Sequence, residues 1–161
     1  MSEQSIPASS AEQRLQQLGI DLPEPPKPFG IYTEAVCSGN LLFLTGMLPT
    51  AQGSAKFLGR LGAEVDVDAG YRAARLAALN AIALVKEQMG SLDRVKRIVR
   101  LGVMVATVGD FRQHPKVADG ASQLLQEVFG AQRNPSRLVY GVASLPLGVP
   151  IELELIFEVA Q

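Results

Sequence analysis

Apolar and charged residues alternate near the end of the chain. Ile151, Leu153, Leu155, Phe157 and Val159 fall on one side of an extended segment, and Glu152, Glu154, Ile156 and Glu158 fall on the other. A period of two predicts a strand with one face on the core. Between Asn134 and Val159 two apolar runs flank a turn rich in Pro and Gly, which reads as strand, connection, strand. One cation, Arg137, and the carboxylates Glu152, Glu154 and Glu158 lie inside segments that otherwise have the composition of buried sheet. Charge in such a place needs a partner, because a lone buried ion is costly.

Elsewhere the period lengthens to that of a helix. Ala73 to Val85 is apolar around most of its circumference and rich in Ala, which permits close approach to a sheet; Asp66 or Asp68 caps its start and Gly90 ends it about six turns later. A second helix is predicted from His114 to Phe129, with Val117, Ala121, Leu124, Leu125 and Val128 on one stripe and Gly130 as its stop. Residues 9 to 18 carry a shorter helix, opened by Ser10 with Gln13 three positions on and closed before Gly19. Prolines at 23, 25, 26 and 28 then force an extended strap.

The remaining runs predict strands. Ile31 to Ser38 and Leu41 to Gly46 flank Gly39-Asn40 as a hairpin, Lys56 to Leu61 forms a short third strand, and Val95 to Thr107 a central one. The order β-β-(β)-α-β-α-β-β, with each helix bridging two strands, gives an α+β architecture: two helices on one face of a mixed sheet. The opposite face would carry apolar residues with no cover, so other subunits are expected there.

Composition narrows the function. An apolar content of 47% in 161 residues supports one substantial core, and fifteen basic against sixteen acidic residues give no electrostatic case for nucleic acid or an anionic membrane. The single cysteine, Cys37, excludes an internal disulfide framework, and the chain shows neither a signal peptide nor a long apolar span, so a cytoplasmic location is expected. One Cys and one His make no metal ligand set, and no cofactor motif is present.

Arg137 fits two roles: a bidentate clamp for a carboxylate, or a structural ion pair with Glu152 or Glu154. Glu152 fits a general acid or base, or the solvated side of an edge strand that Glu154 and Glu158 also occupy. Tyr32 offers a hydroxyl or a ring wall, and Thr45 before Gly46 offers a hydroxyl and backbone amides to an anion. His114 is expected at the surface, Cys37 as a small buried residue, and Arg94, Lys96, Arg97 and Arg100 as the solvated start of a strand.

Gly30-Ile31-Tyr32, the hairpin from Gly39 to Pro49, Pro135-Ser136-Arg137, Leu145-Pro146 and Ile151-Glu152-Leu153-Glu154 together resemble the Rid family of enamine/imine deaminases, also called the YjgF or L-PSP endoribonuclease family. The resemblance covers about residues 28 to 159, with 1–28 as an N-terminal helix and strap and 29–161 as one domain. It implies a chorismate-mutase-like fold and a homotrimer with ligand clefts between subunits. It also implies that Arg137 binds a substrate carboxylate, that Glu152 positions or activates water, and that Tyr32, Thr45, Gly46 and Val139 line the pocket. The implied activity is cofactor-free hydrolysis of 2-imino or enamino acids to 2-keto acids and ammonia. The alternative is a non-catalytic metabolite-binding or chaperone-like trimer, with RNA cleavage behind both. The chain departs from the family pattern at Thr45, Met47 and Val139, and Asp119 or its surroundings replaces a helix Asn, which would narrow substrate choice.

Overall fold

The structure, a computed structural model, describes residues 9–161. The first eight residues of the expected N-terminal segment therefore lie outside the description. Among the described residues, seven strands and three α-helices run in the order α1 (Ala11–Gln17), β1 (Ala35–Ser38), β2 (Leu41–Leu44), β3 (Thr50–Ala51), β4 (Ser54–Ala55), α2 (Val67–Met89), β5 (Val95–Ala106), α3 (His114–Phe129), β6 (Ser136–Val142) and β7 (Ile151–Val159).

Local chemistry sets the helix ends where the sequence places them. The Ser10 side chain accepts from the Gln13 amide and the Gln13 side chain returns to the Ser10 amide, a complete capping box. Asp66 accepts from the Ala69 amide at 2.7 Å, and Gly90 leaves α2 in the left-handed region at φ 75°. The three helices lie on one side of a five-stranded sheet ordered β1-β2-β7-β5-β6. The β5–β6 pair, bridged by α3, is parallel, and the other pairs are antiparallel. The expected α+β class holds, with α1 as a third helix docked by Glu12, which accepts from Lys86 Nζ at 2.8 Å and the Leu92 amide at 2.9 Å. Among the described residues, no helix is long and apolar enough to cross a membrane.

The alternation of β7 is realised in full. Ile151, Leu153, Leu155 and Phe157 are wholly buried under α2 and α3, and the glutamates face the other way. That other face carries exposed Val36, Phe43, Leu138 and Tyr140 in the rows set by strand register.

Three expectations need correction. Lys56 to Leu61 is not a strand: Phe57 at φ 58° and Gly59 at φ 116° break the extended path, and the small ribbon forms earlier, between β3 and β4. β1 begins at Ala35 and not at Ile31, because the chain bends through 29–32 so that the Phe29 amide donates to the Tyr32 hydroxyl at 2.9 Å. Cys37 is exposed, since it sits on the edge strand where no neighbour covers it.

Candidate functional site

Glu152 stands out among the three glutamates of β7. Glu158 lies 3.4 Å from Arg97 and Glu154 lies 3.3 Å from Arg100, whereas Glu152 has no ion pair among the described residues. The basic run at the start of β5 thus neutralises the lower end of the row and stops short of Glu152. Burial pushes the Glu152 carboxyl above the usual carboxylate range. Its carboxylate lies so close to Gly46 that a Cβ at that position would collide with Oε1. A side chain at 46 would therefore displace the Glu152 carboxylate from this place.

Gly46 belongs to a pocket whose wall includes Pro26, Pro28, Phe29, Tyr32 and Thr45. The structure thus brings Tyr32, Thr45 and Gly46 together, with Glu152 directly behind Gly46. The proline strap closes one side of this pocket, a role that its sequence does not announce. The floor is held by Asn80, 2% exposed in the middle of α2, whose Nδ2 donates to the carbonyls of Leu48 at 3.0 Å and Thr50 at 2.9 Å. Asn80→Ala is expected to destabilise the chain by about 2 kcal/mol by stranding the buried Thr50 carbonyl, since the Leu48 carbonyl still accepts from the Thr50 amide at 2.9 Å. A urea melt checks this, and a loss below about 0.5 kcal/mol would contradict the clamp. The clue in the sequence was a lone amide among alanines.

The second group lies elsewhere. Arg137 Nη1 donates to Asp119 Oδ1 at 2.7 Å and to Ser122 Oγ at 3.0 Å, both on α3. Neither Glu152 nor Glu154 is its partner, and the chain itself supplies the carboxylate that Arg137 holds. Ser122 was not foreseen, although its place three residues after Asp119 puts both on one helical face. Val139, two residues along β6, packs partly buried against the core.

These two groups occupy opposite faces of the sheet. Arg137 is paired in register with Leu101, which is buried toward the helices, while Glu152 is paired with Met104 on the open side. Their rows are three residues apart along the strands, about 10 Å, and two strand spacings apart across them, about another 10 Å. A single ligand cannot bridge them within one chain.

A family model described as YjgF/chorismate mutase-like, putative endoribonuclease, matches residues 12–159. Protein TCP17 of Trypanosoma cruzi is 40% identical over 145 residues, 89% of this chain and 91% of its own length. The chloroplastic Reactive Intermediate Deaminase A of Arabidopsis thaliana is 24% identical, over 94% of this chain and 69% of that protein. Among solved structures, a putative endoribonuclease from Shewanella oneidensis superposes with a TM-score of 0.89 at 38% identity, covering 94% of this chain and all of the other. Escherichia coli TdcF with bound serine superposes with a TM-score of 0.61 at 24% identity, over 86% and 94% of the two chains.

Proposed function

Since the chain belongs to the YjgF/chorismate mutase-like family, we propose that it binds small carboxylates in clefts between its own copies and hydrolyses 2-imino or enamino acids to 2-keto acids and ammonia. The observation that carries this reading is the separation of the two groups onto opposite faces. Each is half of a site: Arg137, with Val139 and Asp119 beside it, on the edge strand β6, and Glu152 with Tyr32, Thr45 and Gly46 on the open side. An edge strand seven residues long and an open face with exposed Val36, Phe43, Leu138 and Tyr140 are both surfaces that a folded chain normally covers. A head-to-tail ring lays the edge of one copy against the open face of the next and closes without leftover surface. A homotrimer is the ring in this reading, with Arg137 and Glu152 meeting across each boundary.

The chemistry needs no cofactor. Arg137 holds the substrate carboxylate and fixes C2 against the opposite wall. Glu152 removes a proton from water as its oxygen bonds to C2, the C=N π pair moves to nitrogen, and that nitrogen takes up a proton. Glu152 then takes the hydroxyl proton and passes it to the same nitrogen, so that C=O re-forms as the C–N bond breaks and neutral ammonia departs with the electron pair. Burial raises the affinity of this carboxyl for a proton, which strengthens it as the base that takes one from water. The serine held by TdcF is a small carboxylate of the size this cleft would take, and the deaminase named among the relatives supports the reaction.

The test is an assay that generates 2-iminopropionate or 2-aminoacrylate and follows keto-acid release, with size measured by light scattering. Arg137→Ala is expected to raise KM about tenfold to a hundredfold, the worth of hydrogen bonds to a charged group. A hydrolysis rate that the protein does not change would end the enzyme reading, and a monomer would end the cleft. The ion pair between Arg137 and Asp119 favours one competing reading, in which Arg137 only ties β6 to α3. It predicts a less stable Arg137→Ala with ligand binding untouched.

A further inference from the structure

The guanidinium of Arg137 is half used. Asp119 and Ser122 both accept from Nη1, and among the described residues nothing accepts from Nε or Nη2. That free edge is one on which a carboxylate docks with two parallel bonds. Asp119 is half used as well: Oδ1 is taken, Oδ2 makes no bond among the described residues, and its side chain is 58% exposed. The other carboxylate on this side of α3, Glu127, is already engaged by Arg75 at 2.8 Å and by Gln123 at 2.9 Å. A fixed negative charge therefore stands beside the cationic edge that is still open.

A ligand carrying only a carboxylate meets Arg137 partly neutralised and Asp119 repelling it. A ligand whose carboxylate is adjacent to a cationic nitrogen meets two complementary charges. We propose that Arg137 and Asp119 together read zwitterions, Arg137 taking the carboxylate on its Nε–Nη2 edge and Asp119 accepting from the neighbouring ammonium or iminium. This rests on the carboxylate-binding reading above and names its substrate class: 2-amino or protonated 2-imino carboxylates, in preference to plain carboxylates. It also gives the reaction a direction of traffic, because the 2-keto acid product lacks the cationic nitrogen and is held more weakly than the substrate.

The experiment is calorimetric titration of the full chain with L-serine and with pyruvate, for wild type, Asp119→Asn, Ser122→Ala and Arg137→Ala. Wild type should bind serine more tightly than pyruvate. Asp119→Asn should lose about tenfold or more for serine and hold or gain affinity for pyruvate, so that the preference inverts. Ser122→Ala removes the other Nη1 bond without removing charge, and should affect both ligands alike. If Asp119→Asn weakens both ligands by one factor, or neither, Asp119 merely orients Arg137 and the zwitterion reading is overturned. If wild type binds neither probe, or Arg137→Ala binds both as wild type does, the carboxylate-binding reading itself has failed and takes this one with it.

Discussion

Glu152→Gln is expected to slow imine hydrolysis by about 10²–10³-fold while making the folded chain more stable at neutral pH. Both effects come from one feature. Glu152 is held against Gly46 with no cation among the described residues to balance it, while Arg97 and Arg100 serve its neighbours. Burial raises its carboxyl above the ordinary glutamate range, so the folded chain binds that proton more tightly than the unfolded one. The corresponding stability is fully present below about pH 4.5, the unfolded value, and is lost as pH rises through the folded value. Gln has the same shape and no charge to desolvate, so it escapes the loss but cannot take a proton from water. Thermal melts of the two proteins should coincide near pH 4 and separate by a few degrees in favour of Gln at pH 7. A less stable Gln variant at pH 7 would mean that the carboxylate is an anchor, and an unchanged rate would remove it from proton transfer.

The elements legible in the sequence are those whose causes are local. Asp66 and Gly90 mark α2 because a cap needs one side chain and one left-handed residue, and both lie within a turn of the helix end. β7 declares itself through strict alternation, and the structure buries the side that the alternation selects. Lys56 to Leu61 misled because its apolar residues match a strand while Phe57 and Gly59 adopt positive φ, which composition does not reveal. Asn80 is hidden inside an alanine-rich run because its acceptors lie 30 and 32 positions back in the chain, beyond the reach of any local pattern.

The candidate site was legible as residue types and not as a place. Parity along one strand says which neighbours share a face, but it carries no information from β6 to β7, whose faces are related only through β5. The fifteen positions between Arg137 and Glu152 suggested a pair; register through Leu101 and Met104 puts them on opposite faces. On the proposed reading, the exposed sheet face that needs cover is also where a second chain completes the site. Asp119 illustrates the same limit. Its position in α3 was evident, but its bond to Arg137 depends on how closely α3 lies against the edge of the sheet.

That closeness is tested by Gly120→Ala, expected to destabilise the chain by about 3 kcal/mol. Helix propensity alone predicts the opposite, a gain of about 0.5–1 kcal/mol for replacing a glycine inside a helix. Packing decides the sign. A Cβ at Gly120 would land on the backbone carbonyl of Tyr71 in α2, and a backbone atom held by its own helical bonds cannot swing aside as a side-chain end can. The two helices must separate by the width of a methyl group. Separation opens the contacts of Val117, Ala121 and Leu124, all buried between α2, α3 and the sheet. It also carries Asp119 and Ser122 away from Arg137, since they flank Gly120 on the same helix. Urea unfolding should therefore show a lower midpoint, and serine binding should weaken in the same variant. A variant as stable as wild type would mean that α3 slides freely on α2, and the geometry that aims Asp119 at Arg137 would then have no fixed support.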